Sequence, residues 1–245
     1  MALTYPGMEA FKIAAQDIKL KIESPSILSF SYQDLLLSDE EWFDILGNLS
    51  EKIEYRNDSE SILRWHKCAP FVKRIPETHI VYKLLGFSKI VDADLVKARA
   101  NEVIVDLNYS LPESLGQFDL VVDNVSQHCF NIGAAIKSIA SCVKPFGWIL
   151  HVLPMTMLNQ GYFCISPCAL QDFYKSRGFS VIKHDAYHFD KLGIHTKFDI
   201  VPSGRMEVPK DNCFQIFLAQ QIEYINPSGW PTQDKFIKHP DSTIQ

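Results

Sequence analysis

The stretch SPSILSFSYQD, from Ser24 to Asp34, sets the fold of this chain. Its short apolar run, Ile27 to Phe30, opens an alternation of apolar strands and helices, and so predicts the first strand of an α/β sheet. The residues that follow are Ser31-Tyr32-Gln33-Asp34, where sheets of this kind often carry a glycine-rich turn. We therefore expect an α/β fold whose first turn is built from side chains.

The rest of the chain continues the alternation. An amphipathic segment, Met8 to Ile22, precedes the first strand, and a capping box from Ser38 to Glu41 opens the next helix. Six further strands are predicted, near residues 89–94, 102–107, 118–123, 148–153, 179–186 and 212–223. The last two lack a strong helix between them, so one of them is expected to be antiparallel. The pattern predicts a Rossmann-like, doubly wound sheet of seven strands, mostly parallel with an antiparallel last strand.

The domain organisation follows from length and composition. The chain has 245 residues, of which 47% are hydrophobic, which is enough for one large core. We expect a single domain over residues 1–225, with an insertion at about 50–75 and a long loop at about 190–211. The proline-containing tail, 226–245, is expected to be irregular surface chain.

Charge and hydropathy limit the partners. The formal net charge of −5 provides no electrostatic reason to expect nucleic acid, because proteins that bind it usually concentrate Lys and Arg on one face. The N-terminus lacks a secretory pattern, and no apolar run reaches the roughly 18 residues of a membrane span. The sequence predicts a cytoplasmic protein that does not engage the membrane.

Cysteines provide no sign of a metal centre. Six are scattered through the chain, which is too large to need disulfide staples, so most are expected to be small buried hydrophobes. Cys164 and Cys168 lie close in sequence, but no second pair has the spacing of a zinc site. We expect no bound metal.

Several ordered motifs resemble those of the class I S-adenosylmethionine-dependent methyltransferases, over roughly residues 24–224. These are KIVDADL (89–95), DLN followed by LP (106–112), FDLVVDNVSQH (118–128), KPFGWILHVLP (144–154) and CFQIFLAQQ (213–221). The linked pattern of SYQD, DLNYSLP, FDLVVD and QGYFCISP is similar to a divergent bacterial subgroup without the glycine-rich first motif, whose genes often stand near surface-sugar synthesis. The resemblance implies S-adenosylmethionine as cofactor and a small-molecule acceptor.

Three features depart from the family pattern. The first turn has no glycines, although glycine lets backbone amides approach a cofactor without a Cβ in the way. Only seven residues separate Asp94 from Glu102, too few for a crossover helix of about a dozen residues, so that helix should be missing or reduced. Finally, Phe146 or Trp148 stands where the family has the second glycine of its turn before the fifth strand.

The carboxyl ends of parallel strands meet at one edge of a sheet, where ligands bind. The resemblance places the ribose-binding acid at Asp94 or Asp92 and the adenine contact near Asp106. The full set of predicted cofactor-binding residues is Tyr32, Gln33, Asp34, Asp92, Asp94, Asp106, Leu107, Asn108, Asp123 and Asn124. Asp94 and Asp92 could instead be acids exposed to solvent at a strand end, without a ligand. Asp106 could instead cap its own turn. We expect His128 to be the catalytic base or an acceptor-binding group.

Other polar and aromatic residues have two interpretations each. His128 could instead only satisfy its loop, and His151, inside a strand, is more typical of a hydrogen-bonded core histidine. Tyr162 and Phe163 could stack on an acceptor or pack as a hydrophobic staple. The cluster Arg64 to Lys67 could bind an anionic acceptor group, or form a solvated turn with Trp65 packed down.

Three functions remain open at the level of sequence. The leading hypothesis is a methyltransferase acting on a small molecule, such as a sugar or nucleotide-sugar, with transfer to oxygen or nitrogen. The glycine-less first turn favours the second, a catalytically degenerate methyltransferase-like protein that serves in binding or assembly. A nicotinamide-dependent enzyme is weaker, because no G-x-G-x-x-G pattern occurs.

Overall fold

A computed structural model describes residues 2–67, 71–99, 102–190, 193–201, 206–208, 212–225 and 229–233. Cys68 and most of the predicted irregular tail, 226–228 and 234–245, lie outside this part of the chain. No helix among the described residues is long and apolar enough to cross a membrane.

Ten strands are present in the described chain. They are β1 Ala2–Thr4, β2 Ser26–Phe30, β3 Asp34–Leu36, β4 Lys89–Asp94, β5 Val103–Ile104, β6 Phe118–Asp123, β7 Val143–Pro154, β8 Phe179–Phe189, β9 His195–Phe198 and β10 Cys213–Gln221. Eight of them form the main sheet in the order β5-β4-β2-β6-β7-β10-β8-β9, and β1 pairs with β3 in a small parallel sheet. The order reverses at β2, which places a topological switch point between β2 and β6.

Strand directions confirm the predicted Rossmann-like α/β fold. The five strands from β5 to β7 are parallel to one another, and β10 runs antiparallel to both β7 and β8. The predicted count of seven strands in the main sheet is wrong, because the described residues form eight. The additional strand is β9, which forms inside the expected 190–211 loop and pairs antiparallel with β8.

Helices cover both faces of the sheet. They are α1 Tyr5–Lys21, α2 Asp39–Leu46, α3 Ser59–His66, α4 Thr78–Leu84, α5 Ile132–Ser141 and α6 Pro167–Lys175. Buried residues of α1, α2 and α4 share a core cluster with one face, and those of α5 and α6 share a second cluster with the other. The predicted capping box is confirmed: the Ser38 hydroxyl accepts from the Glu41 amide, and Glu41 accepts from the Ser38 amide.

Two connections at the carboxyl edge differ from a regular doubly wound sheet. The chain leaving β2 does not enter a helix but runs on into β3, which pairs with β1. Between β4 and β5 the described residues, 95–99 and 102, contain no helix, as the short spacing predicted. The edge where a ligand would bind is therefore lined by irregular segments and side chains.

Candidate functional site

The turn after β2 adopts a glycine-like backbone without glycine. Ser31 has φ of +74°, in the left-handed region that favours glycine, and its amide donates to the Ala93 carbonyl at the end of β4. The Ser29 hydroxyl donates to the Ser31 carbonyl at 2.8 Å. These bonds stabilise a conformation that costs about 1 kcal/mol or more in a non-glycine residue.

Gln33 fills this turn with its side chain. It is fully buried, and its Nε2 donates to the Phe30 carbonyl at 2.9 Å and lies 3.2 Å from both the Ser31 carbonyl and the Ser29 hydroxyl. Its Oε1 accepts from Asn124 Nδ2, which links the ends of β2 and β6. In a glycine-rich turn, the backbone at this place would be open to a ligand. Here the side-chain amide of Gln33 occupies that space.

Tyr32 is clamped between the start of α4 and the segment after β4. Its hydroxyl donates to Glu77 at 2.7 Å and accepts from the Thr78 amide at 3.1 Å. The Arg99 guanidinium stacks over the ring, 3.8 Å from the centroid. Burial, together with the bond to Glu77, raises the pKa of Tyr32 to about 12, so the phenol stays protonated at neutral pH.

Asp34 links the turn to the segment predicted as an insertion at about 50–75. Its carboxylate accepts from Arg56 at 2.7 Å and lies 2.8 Å from His66 Nε2. Burial by itself raises the pKa of Asp34, but the bond to His66 and the charge of Arg56 hold it below its ordinary value. His66 therefore packs inward, whereas its neighbour Trp65 is 82% exposed and does not pack down as one interpretation proposed.

The two acids of β4 have different surroundings. Asp92 is buried and pairs through Oδ2 with His79 Nε2, while its Oδ1 has no hydrogen-bond partner in the described chain. Asp94, at the end of the strand, is half-buried and accepts the Leu95 amide through Oδ1 at 2.7 Å. The second carboxylate oxygen of Asp94 has no hydrogen-bond partner among the described residues, and its contact with ribose stays a prediction.

Asp106 and Asn108 form a self-supporting turn after β5. Asp106 Oδ1 accepts the backbone amide and the side-chain amide of Asn108, each at 2.9 Å. Asn108 Oδ1 in turn accepts the amide of Asn131, the N-cap of α5. Leu107 is buried in the core cluster under α5. This is the turn-capping alternative for Asp106, and its contact with adenine stays a prediction.

A buried chain of hydrogen bonds lies behind the end of β6. Asp123 accepts from the Ser126 hydroxyl at 2.6 Å and lies 2.7 Å from His151 Nδ1, and His151 Nε2 lies 2.6 Å from the Tyr174 hydroxyl. Although burial raises the pKa of Asp123, the bonds from His151 and Ser126 hold it below its ordinary value. His151 is thus a hydrogen-bonded core histidine, the alternative that its position in a strand suggested.

The turn after β6 offers free acceptor atoms beside His128. Asn124 and Gln127 are both buried, and Asn124 Oδ1 and Gln127 Oε1 have no hydrogen-bond partner in the described chain. The Gln127 Nε2 donates to the Asn124 carbonyl at 2.9 Å and lies 3.2 Å from His128 Nε2. Partial burial lowers the pKa of His128, so its imidazole is neutral at pH 7.

Two cavities lie at opposite edges of the sheet. One, of about 570 Å³, lies at the amino ends of β6 and β7, beside Asp119 and Trp148. Another, of about 510 Å³, is lined by Tyr5, Ser38, Tyr187 and His195, near the carboxyl ends of β3 and β8. No group of three or more His, Cys, Asp or Glu side chains in the described residues has the arrangement of a metal site. At the carboxyl edge, the first turn itself is occupied by the Gln33 side chain.

The predicted residues fit S-adenosylmethionine unevenly. Asp94 and Asn124 keep acceptor oxygens for a ligand, whereas the polar groups of Gln33 and Asp34 are engaged by protein partners. Cofactor contacts by all ten predicted residues stay predictions. Sequence reasoning missed Arg99, Glu77 and His79, which lie on other elements and contact the first turn only in three dimensions.

No protein-family model and no curated protein matches the chain. Solved structures similar to it include TehB from Haemophilus influenzae, at 13% identity and a TM-score of 0.45, covering 85% of this chain and 61% of TehB. Another is 1,6-didemethyltoxoflavin-N1-methyltransferase from Burkholderia thailandensis, at 13% identity and a TM-score of 0.42, covering 87% of this chain and 79% of that one. A third is a SAM-dependent methyltransferase from Aquifex aeolicus, at 8% identity and a TM-score of 0.38, covering 87% of this chain and 97% of that one. At such values the similarity carries no argument about activity.

Proposed function

We propose that this chain is an S-adenosylmethionine-dependent methyltransferase acting on a small molecule. The observation that supports it is a pair of acceptors at the carboxyl ends of β4 and β6, on both sides of the switch point. The second oxygen of Asp94 and Asn124 Oδ1 each have no hydrogen-bond partner among the described residues. A buried acceptor without a partner costs roughly 1–3 kcal/mol, which a ligand donor would recover. The ligand chemistry required is a donor-rich one, with hydroxyl and amino groups.

S-adenosylmethionine has these donors and, when bound, supplies an electrophilic methyl group on a sulfonium. Asp94 would accept from its ribose hydroxyls, and Asn124 from an amino group. His128, neutral at pH 7, would take the proton from a hydroxyl or amine acceptor. The resemblance to the bacterial subgroup makes a sugar or nucleotide-sugar the proposed acceptor, with transfer to oxygen or nitrogen.

Isothermal titration of the purified chain with S-adenosylmethionine and S-adenosylhomocysteine tests this proposal. We expect both to bind, and Asp94→Asn to weaken binding by about 10-fold or more, because hydrogen bonds to a charged group contribute about 1.5–3 kcal/mol. The exposed Asp199→Asn serves as the control and should leave the affinity unchanged. Absence of binding by the wild-type chain would overturn the proposal.

The role of His128 has its own measurement. With labelled S-adenosylmethionine and a small-molecule extract, His128→Asn should lower methyl incorporation by about 100-fold, the usual contribution of a general base, with cofactor affinity unchanged. Full incorporation by the variant would exclude His128 as the base.

A second candidate function follows from the filled first turn. Because Gln33 occupies the place of the glycines, a methyltransferase-like protein without catalysis, serving in binding or assembly, is the alternative. The same titration separates the two, since this candidate requires that the wild-type chain bind neither S-adenosylmethionine nor S-adenosylhomocysteine.

A further inference from the structure

One buried carboxylate holds residues 124–128, which follow β6 and which we call the β6 turn. Asp123, the last residue of β6, accepts the backbone amides of Val125 and Ser126 through Oδ1, at 2.9 and 3.0 Å. Its Oδ2 accepts the Ser126 hydroxyl at 2.6 Å. Because three of its donors belong to the β6 turn, the orientation of this carboxylate sets where the turn lies.

Two side chains from other elements hold the same carboxylate. His151 lies opposite Asp123 in the register of β6 and β7, with its Nδ1 2.7 Å from Asp123 Oδ2. The Nε2 of His151 is 2.6 Å from the hydroxyl of Tyr174, on α6. All three side chains are fully buried. None of them can touch a ligand, so any effect that they have on one passes through the β6 turn.

The protons in this chain of hydrogen bonds can be assigned. Burial raises the pKa of Tyr174 well above its usual value, so the hydroxyl keeps its proton. Among the described residues the only hydrogen-bond partner of that hydroxyl is His151 Nε2, which therefore accepts and leaves the imidazole proton on Nδ1. Nδ1–H then donates to Asp123, whose pKa is held below its ordinary value. The chain thus runs from Tyr174 through a neutral imidazole to an ionised carboxylate.

A loop after β7 holds the β6 turn from its outer side. The amides of Tyr162 and Phe163 donate to the Gln127 carbonyl at 2.8 and 3.3 Å. A Cβ at Gly161 would lie 2.6 Å from that carbonyl oxygen, so glycine is needed for this approach. Because Tyr162 is 70% exposed, this contact lies near the surface. The support that connects the β6 turn to the core is the one through Asp123.

We propose that His151 and Tyr174 are positioning residues, which act through Asp123 to hold the β6 turn and so place Asn124 and His128 for the ligand. The inference rests on the proposed function, in which Asn124 accepts from the cofactor and His128 takes a proton from the acceptor. Groups whose geometry is set before the ligand arrives bind it at a lower entropic cost and react faster. Two residues that never meet the ligand thereby affect both binding and methyl transfer.

The proton assignment has a test in the wild-type chain. Proton–nitrogen NMR spectra of histidine rings distinguish the two neutral tautomers from the imidazolium ion. We expect His151 at pH 7 to be the neutral form with its proton on Nδ1. Tyr174→Phe, which removes a single oxygen atom, identifies the His151 signals by shifting them. A proton on Nε2, in either the other tautomer or the imidazolium ion, would overturn the direction of the chain and the proposal with it.

Two further variants separate positioning from a contribution to stability alone. His151→Phe leaves the Tyr174 hydroxyl buried without a partner and should destabilise the fold. The double variant His151→Phe/Tyr174→Phe replaces both polar groups by apolar rings and should regain much of that stability, as measured by urea denaturation. In both, Asp123 loses only the donor from His151. A purely structural role predicts that the double variant matches the wild-type chain in every other measurement.

Hydrogen exchange measured by mass spectrometry follows the β6 turn without any ligand. We expect exchange across residues 124–128 to rise by about 10-fold or more in the double variant, since the turn loses its connection to the core. Tyr187→Phe, which removes a tyrosine hydroxyl near Asp185 and away from the turn, is the matched control and should leave that exchange unchanged. Unchanged exchange in the double variant would overturn the proposal.

The affinity for S-adenosylmethionine then shows whether the position of the β6 turn matters to the site. If the wild-type chain binds it, the double variant should bind at least 5-fold more weakly, and Tyr187→Phe should bind equally well. Equal affinity of the double variant, despite a loosened turn, would overturn the positioning role. A wild-type chain that binds no S-adenosylmethionine would reject the proposed function, whereas the exchange measurement would still decide whether His151 and Tyr174 hold the turn.

Discussion

Ser31 and Gln33 show how single residues replace a glycine-rich turn. Ser31 adopts the left-handed backbone conformation. The Gln33 amide donates to carbonyl oxygens to which a cofactor or water would otherwise hydrogen-bond. Both residues are buried, so the substitution affects the folded core as well as any binding site. The turn is thus a structural joint between β2 and β6.

Replacing Gln33 by alanine should destabilise the fold. Gln33→Ala leaves the Asn124 amide and the Phe30 carbonyl without their partner in a buried turn, and we expect the free energy of unfolding to fall by about 2–4 kcal/mol. Urea denaturation followed by circular dichroism measures this change. If a cofactor binds, its affinity should fall as well.

The exposed Gln160→Ala is the matched control and should change the free energy of unfolding by less than about 0.5 kcal/mol. Equal stability of Gln33→Ala and Gln160→Ala would show that the Gln33 side chain does not hold the turn.

At the scale of elements, a buried carboxylate joins three strands at the opposite edge of the sheet. Asp119 of β6 accepts the amide and hydroxyl of Ser26 from β2, at 2.8 and 2.6 Å, and the Lys144 ammonium from β7, at 2.9 Å. Burial by itself raises the pKa of Asp119, but these bonds hold it below its ordinary value. The ionised form is therefore the one that stabilises the sheet.

This arrangement predicts a pH dependence of stability. Because the pKa of Asp119 is lower in the folded than in the unfolded chain, its contribution is complete above the unfolded value of about 3.9 and is lost as the pH falls through the folded value. Asp119→Asn should lower the free energy of unfolding by about 1–3 kcal/mol at pH 7, and the deficit should shrink as the pH falls below about 4.

Urea titrations at pH 7, 5, 4 and 3 would follow this deficit, with Asp199→Asn as an exposed control that tracks the wild-type chain. A deficit of constant size from pH 7 to pH 3 would contradict the assignment of the Asp119 charge.

At the scale of the whole molecule, the segment predicted as an insertion contacts the first turn through its described residues, 50–67. Arg56 reaches Asp34 with a side chain that is only 7% exposed, bonds Asp58, and lies 5.4 Å from the Tyr32 ring centroid. His66, at the end of α3, lies within hydrogen-bond distance of the same Asp34 carboxylate. Residues 50–67 thus contact the first turn through Arg56 and His66.

Loosening this contact should open the crevice locally. We expect Arg56→Gln to increase amide hydrogen exchange in residues 53–67 and near Tyr32 by about 10-fold or more, since breaking a partly buried ion pair costs over 1.4 kcal/mol, while strands β6, β7 and β10 stay protected. Hydrogen exchange measured by mass spectrometry checks this.

The exposed Arg64→Gln, in the same insertion, removes only a surface pair with Glu60 and should leave the exchange unchanged. Indistinguishable exchange in the Arg56 and Arg64 variants would mean that the insertion is not held by Arg56.

Local patterns in the sequence determined the strands β2, β4, β6, β7, β8 and β10, the capping box at Ser38 and the missing crossover helix, because apolar periodicity, capping and chain length act over a few residues. They also placed Asp94 at a strand end. Only the tertiary structure decided which polar atoms have partners. Gln33 and Asp34 are engaged by Asn124, Arg56 and His66, from distant parts of the chain. By contrast, Gln127 Oε1 has no hydrogen-bond partner in the part of the chain that the structure describes. Side-chain hydrogen bonding depends on contacts between segments far apart in the chain, and so does the pairing that made β9 a strand.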